Sequence, residues 1–235
     1  MMAGKLYLIP TIISDETQHV VIPQQVKEVL PGIKYFLAED LRTARRFLSS
    51  LKVYPTIEEL NFQVLNKETP AIDLPDLMKP LEAGFNMGVI SESGCPGVAD
   101  PGALAVAYAH AHNFQVVPLV GPSSILLALM ASGLNGQQFA FNGYLPVDVN
   151  EASKKIKELE RESKLKNQTQ IFIETPYRNN AVFSHLLKNL HAHTRLTVAL
   201  DITGKNESIV TKAVSTWKSN TIVWPKTPAV FLFLA

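Results

Sequence analysis

The sequence predicts an α/β protein of two domains, the first around a mostly parallel sheet and the second around a mixed one. Three observations carry that expectation. The chain has 235 residues, 46% of them hydrophobic, enough to bury a full core and, at this length, to form two units of roughly 115 residues each. In its first half, short apolar runs alternate with helical patterns or loops, as parallel strands joined by crossovers do. After Gly133 the strand-like runs crowd together with little room for full crossovers, so antiparallel neighbours are expected. We draw the domains as residues 1–120 and 121–235.

Lys5 to Thr11, Lys34 to Asp40, Met87 to Ser93 and Gln115 to Val120 are the strand-like runs of the first domain. Leu41 to Leu51 is helical in period, with Leu41, Ala44, Leu48 and Leu51 on one stripe and Arg42, Arg45 and Arg46 on the opposite face. From Val53 to Pro80 the prolines at 55, 70, 75 and 80 break every period, and Thr56 to Asn66 fits helix and strand equally. In the second domain Phe139 to Leu145, Thr169 to Thr175, Leu196 to Ile202, Thr221 to Trp224 and Ala229 to Leu234 are strand-like, interrupted by helices over Asn150 to Lys166 and Asn180 to Leu190. Pro101 to Val147 contains no Asp, Glu, Lys or Arg. Pro118, Gly121, Pro122, Gly133 and Gly136 punctuate it, so it is not one membrane helix and reads as the buried centre of the molecule.

A net charge of +1 and a pI near 7.8 give no global electrostatic case for nucleic acid, so an RNA partner would be held by a local patch. The single cysteine, Cys95, excludes an internal disulfide and a thiolate metal site and fits a reducing cytoplasm. The opening Met-Met-Ala-Gly-Lys-Leu-Tyr-Leu-Ile-Pro lacks the long apolar core of a secretion signal, and a cytosolic protein is expected. His110, His112, His185, His191 and His193 have no carboxylate or cysteine at ligand spacing, and no metal is expected.

Two apolar strands run straight into Gly/Pro/Ser loops: Met87-Gly-Val-Ile-Ser-Glu-Ser into Gly94 to Gly102, and Gln115-Val-Val-Pro-Leu-Val into Gly121-Pro-Ser-Ser124. Ligands of open α/β sheets sit at the carboxyl ends of strands, where irregular backbone leaves polar groups free. Neither G-x-x-x-x-G-K-[ST] nor G-x-G-x-x-G is present, Pro96, Pro101 and Pro122 remove donors, and no Lys or Arg is nearby. A neutral or zwitterionic ligand with an apolar body therefore fits better than a polyphosphate. Ser123 is no nucleophile elbow, because Ile125 stands where G-x-S-x-G needs glycine.

Among the acids, Asp100 precedes Pro101 and an apolar helix, as an N-cap does. Asp40 has the same place before Leu41 and is either a cap or a catalytic group. Glu39 is a solvated strand end or a base. Glu174 ends an otherwise apolar strand, so its carboxylate must find donors and reads as a functional or cofactor contact. Arg42, Arg45 and Arg46 could meet phosphates. Lys154, Lys155, Lys157, Arg161, Lys164 and Lys166 are diluted by Glu151, Glu158, Glu160 and Glu162, which suggests a solvated helix face.

At these residues the chain resembles the tetrapyrrole methylase superfamily of S-adenosylmethionine-dependent methyltransferases, most of all the branch that methylates a cytidine ribose 2′-hydroxyl in small-subunit ribosomal RNA. The resemblance rests on Leu6-Tyr-Leu-Ile-Pro-Thr11, Ala38-Glu-Asp-Leu-Arg42, Val89 to Gly102, Gly121-Pro-Ser123 with Ala131-Ser-Gly-Leu134, Phe139 to Pro146, and Ile171-Phe-Ile-Glu-Thr-Pro-Tyr-Arg178, in family order. It implies two α/β/α domains, a homodimer, and S-adenosylmethionine folded into a cleft between the domains. The implied cofactor contacts are Pro10, Ser93, Gly94, Cys95, Val98, Ser124, Ile125, Glu174, Val210 and Pro228; Glu39, Asp40 and Arg42 are the candidates beside the substrate.

Three departures from the branch bear on the substrate. Its Gly-Asn turn after the first strand is Ile12-Ile-Ser-Asp15 here, its late Arg-Glu-Leu-Thr-Lys stretch is Leu200-Asp-Ile-Thr-Gly204, and its members usually continue past the last strand, whereas this chain stops at Ala235. The expected activity is methyl transfer from S-adenosylmethionine to a cytidine ribose in 16S ribosomal RNA. A methylase of a small molecule such as a precorrin, or a non-catalytic cofactor- or RNA-binding module, are the alternatives.

Overall fold

Strand β1 (Lys5–Ile9) is flanked on both sides by parallel neighbours, β4 (Met87–Ile90) and β5 (Gln115–Pro118). The sheet continues through β2 (Tyr35–Ala38) to β3 (Asn61–Val64), giving the order β3-β2-β4-β1-β5 with every pair parallel. The computed structural model describes residues 4–219 and 223–235. By its contacts the chain divides into two units, residues 1–123 and 124–235.

Alternation along the strands divides the first core in two, because successive side chains leave opposite faces of a sheet. Ile9, Phe36, Ala38 and Ile90 join one cluster with α2 (Gln24–Val29) and α3 (Leu41–Leu51). Leu6, Leu37, Met87 and Val89 join the other with α4 (Leu74–Glu82) and α5 (Gly102–Ala111). A short helix α1 (Gln18–Val21) precedes α2. Helix α3 occupies the predicted span and buries Ala44, Phe47, Leu48 and Leu51, leaving Arg42, Arg45 and Arg46 exposed. Asp40 caps its start: Oδ1 accepts from the Thr43 amide at 2.6 Å.

The second unit holds a mixed sheet of order β6-β7-β10-β8-β9. Strand β6 (Phe139–Phe141) runs parallel to β7 (Thr169–Glu174). Then β7 with β10 (Ala229–Leu234), β10 with β8 (Arg195–Leu200), and β8 with β9 (Ser208–Ala213) are antiparallel, as the crowding of strands had suggested. Phe172, Phe231, Phe233, Leu196 and Val198 form one core with α7 (Val149–Lys166), α8 (Asn179–Asn189) and α9 (Val214–Lys218). Trp217 is fully buried there, its indole N–H donating to the Leu196 carbonyl at 2.9 Å. Helix α6 (Ser124–Ser132) packs on β10 and β9.

Several expectations need correction. The uncharged stretch from Pro101 to Val147 is not a buried centre, because Leu104, Val120, Leu126, Met130, Phe139, Tyr144 and Val147 are exposed. Helix α5 buries only Gly102, Ala105 and Ala109, and α6 only Ala128, Leu129 and Ser132. Absence of charge therefore marks an apolar surface here. Glu160 is no solvated residue of α7: it is buried, and Oε1 accepts from the His191 amide at 2.8 Å and from the Thr194 hydroxyl. The strand expected at Thr221 to Trp224 is absent at Val223 and Trp224, which lie in irregular backbone; Thr221 and Ile222 lie outside the described residues. The ambiguous segment resolves as β3 followed by α4, with Pro80 inside that helix.

Candidate functional site

Three loops of the first unit are bonded together at the carboxyl ends of its strands. After β1, the Thr11 amide donates to the Gly94 carbonyl at 2.9 Å and its hydroxyl to the Ser91 carbonyl at 3.3 Å. The Ser91 hydroxyl is shared between the carbonyls of Ser93 (3.1 Å) and Gly94 (3.3 Å), curling the loop after β4. The Cys95 thiol donates to the Pro122 carbonyl at 3.4 Å, joining that loop to the one after β5. Position 94 requires glycine, since it adopts φ +69° and a Cβ would lie 3.2 Å from the Pro122 carbonyl. Pro10, Ser93, Gly94 and Cys95 are thus brought into one cluster, while Val98 stands exposed farther along the loop. Burial pushes the Cys95 thiol up, so it remains a donor and not a nucleophile.

The Asp100 carboxylate organises the rest of that loop. Its Oδ1 accepts from the Gly97 amide at 2.9 Å and the Gly102 amide at 2.7 Å, the role expected of a residue at the start of α5. Glu39 leaves the end of β2 and feels the charges of Glu92 and Asp100. Partial burial first, then those two carboxylates, raise its pKa above the ordinary glutamate value, and Lys67 only partly offsets them. Asp40, fully exposed, is held below the usual range chiefly by the Thr43 amide. Neighbouring carboxylates are thereby driven apart, Glu39 toward a base that titrates nearer neutrality and Asp40 toward a permanent charge. Asp40→Asn should preserve the start of α3, whereas Asp40→Ala should destabilise it by removing the cap. Urea denaturation separates the two, and an alanine variant as stable as the wild type would deny the cap any weight.

Beside this cluster the loop after β1 and helix α3 line a cleft of about 380 Å³, walled by Ile12, Ile13 and Phe47 with Thr11, Ser91 and Glu92 as polar lining. Asp15 and Arg46, an exposed ion pair at 2.9 Å, are also among its walls. Sequence reasoning missed the cleft, since no local pattern relates two residues 31 positions apart.

In the second unit Ser124 and Ile125 are half-buried at the start of α6. Glu174 is 4% exposed at the end of β7. Its Oε1 accepts from the Thr175 amide at 2.7 Å and hydroxyl at 3.2 Å; Oε2 lies 3.4 Å from Arg178 Nη1 and has no hydrogen-bond partner among the described residues. The expectation that this carboxylate must find donors is thus half met, and one buried acceptor is left over. Pro228 precedes Ala229, the residue paired with Glu174. Val210 sits in β9 and packs against the apolar cluster, with β8 and β10 between it and β7, so the fold does not bring it beside Glu174. Among the described residues no group of His, Cys, Asp and Glu is placed to hold a metal ion, and no helix is long and apolar enough to cross a membrane.

No family model matches the chain. It is 29% identical over 204 residues to a ribosomal RNA small subunit methyltransferase I of Synechocystis sp., covering 87% of this chain and 69% of that protein. Its fold is similar to that of the methyltransferase CobJ, with a TM-score of 0.63 and 16% identity over 99% of this chain and 94% of the other. A uroporphyrin-III C-methyl transferase from Thermus thermophilus, solved in complex with S-adenyl homocysteine, superposes with a TM-score of 0.59 and 15% identity, covering 98% and 97%. The chain thus shares with these methyltransferases the fold of a parallel sheet followed by a mixed one, and is similar in sequence, along most of its length, to ribosomal RNA small subunit methyltransferases I.

Proposed function

We propose that the chain is an S-adenosylmethionine-dependent methyltransferase that methylates a cytidine ribose 2′-hydroxyl in 16S ribosomal RNA. The observation that carries this is the likeness to a ribosomal RNA small subunit methyltransferase I over 87% of the chain. We propose the cofactor contacts in each unit separately: Pro10, Ser93, Gly94, Cys95 and Val98 in the first, and Ser124, Ile125, Glu174, Val210 and Pro228 in the second. The two units would be the N-terminal and C-terminal methylase domains.

Two features of the chain fit that cofactor. At Gly94 and Gly121 the absence of a side chain lets the loops after β1, β4 and β5 pack directly on one another, gathering their backbone groups at the strand ends where a ligand would bind. The buried Oε2 of Glu174 faces the Arg178 guanidinium at 3.4 Å but accepts no hydrogen bond among the described residues, and so is an acceptor suited to an amino group. When bound, S-adenosylmethionine supplies a methyl group already activated on a sulfonium, so the protein's task is alignment of the acceptor. Glu39 would take the proton from the ribose hydroxyl, Asp40 would hold the start of α3 in place beside it, and the exposed Arg42 would meet a phosphate of the RNA.

Methyl transfer from tritiated cofactor to small-subunit RNA, with mass-spectrometric mapping of the ribose modified, tests the proposal. Turnover of a precorrin with none on RNA would instead support small-molecule methylation, which the near-neutral charge of the chain favours. For the cofactor itself, Glu174→Gln should weaken S-adenosylmethionine binding about ten- to a hundredfold, the worth of a hydrogen bond to a charged group. Calorimetry giving wild-type affinity would remove Glu174 from the contacts. We further propose a cytoplasmic homodimer: Cys95 is a free thiol, and α6 leaves Leu126 and Met130 exposed where a second copy could cover them.

A further inference from the structure

Three consecutive residues of the second unit each pin a neighbouring segment. Arg178 Nη2 donates to the carbonyls of Pro146 (3.1 Å) and Leu145 (3.4 Å), holding the loop that follows β6. Asn179 Nδ2 donates to the Thr227 carbonyl at 2.7 Å, holding the loop that enters β10. Asn180 adds a reciprocal pair with Trp224, accepting from its amide at 2.7 Å and donating to its carbonyl at 3.1 Å. Tyr177 immediately precedes these pins and is 82% exposed, with the Lys226 ammonium 5.4 Å from its ring centre. Tyr144 and Val147 of the first pinned loop are exposed as well.

The Lys226 ammonium over one face of the Tyr177 ring is a cation–π contact, and it leaves most of this 82% exposed ring open to solvent between the pinned loops. The pair matches what unpaired nucleotides require: every base has a face to stack, and the adjoining phosphate has a charge to meet. With a net charge of only +1, the chain lacks the broad basic field that duplex binding rests on, so stacking is the recognition its chemistry favours. We infer that Tyr177, with Lys226 beside it, is a stacking platform for an unpaired nucleotide of the RNA substrate. This rests on the ribosomal RNA reading above.

The probes are a short single-stranded RNA containing cytidine and a blunt RNA duplex of the same length, bound to the full chain. Tyr177→Ala should weaken single-strand binding about tenfold or more, and leave the duplex unchanged. Tyr177→Phe keeps the ring and should bind as the wild type does. Lys226→Gln should lower the salt dependence of single-strand binding by about one phosphate's worth. Wild-type single-strand affinity in the alanine variant overturns the platform while leaving the RNA reading intact. A wild-type protein that binds neither RNA overturns both.

Discussion

Glu39→Gln is expected to lower methyl transfer by about 10² to 10⁴-fold, the range that a positioned general base contributes, while making the folded protein more stable at neutral pH. The two effects have one cause. Burial and the charges of Glu92 and Asp100 raise the Glu39 pKa in the folded state. A carboxyl whose folded pKa lies above its unfolded value adds no penalty while both states hold the proton. As pH rises from the ordinary glutamate range through the folded pKa, the unfolded chain releases its proton more readily, and stability falls. Above the folded pKa the wild type carries that penalty in full, and glutamine removes it. Denaturant melts at pH 7 and at about pH 4 should show a stability gap between wild type and variant at the higher pH and none at the lower. Activity loss without that gap would mean that Glu39 acts through something other than its strained charge. Glu92→Gln provides a second check, because removing one repelling carboxylate should move the acid limb of the pH–rate profile to lower pH.

The elements legible in the sequence are those whose burial is decided by the chain's own local pattern. Helix α3 follows from one apolar stripe and an aspartate before it, and β10 is buried at all six positions, so its run of apolar residues has no interruption. Strand β9 escaped notice because Ser208 to Ala213 is half-buried throughout and mixes Thr211 and Lys212 among its apolar residues. β3 is an edge strand with one half-buried residue, Phe62, and its neighbour α4 admits two prolines, Pro75 at its start and Pro80 inside. These prolines, which seemed to forbid structure, are accommodated where the helix loses few hydrogen bonds.

The site divides in the same way. Its loops were visible because glycine and proline accumulate where backbone must turn sharply at strand ends. The bonds that shape them were not, since Thr11 meets Ser91 across 80 residues and the buried Glu160 finds Thr194 across 34. Side chains that serve distant backbone carry no periodic mark. The uncharged stretch misled for a related reason: a helix that is apolar on all sides, such as α6, reads as core from sequence, yet a single copy of the chain covers only part of it.

The closest approach in the site yields the largest structural effect. Gly121 rests against Pro10, and an alanine there would bring its Cβ to 2.1 Å from Pro10 Cβ and 2.3 Å from Cγ. A flexible side chain could swing away from such a contact, but the pyrrolidine ring is fused to the backbone and moves only with it. Moving Pro10 drags Thr11, whose amide and hydroxyl hold Gly94 and Ser91, so the clash is transmitted from the loop after β5 to the loops after β1 and β4. Gly121→Ala should therefore cost about 3 kcal/mol, the upper range for overpacking, and lower the melting temperature of the first unit by about 10 °C. Cofactor affinity should fall with it, since the same three loops carry Pro10, Ser93, Gly94 and Cys95. Gly136→Ala is the control: nothing lies within 4 Å of a Cβ at that position, and its effect should stay within about 0.5 kcal/mol. If both variants melt alike, the packing of Gly121 on Pro10 does not tie these loops together, and the cofactor contacts assigned to them lose their common support.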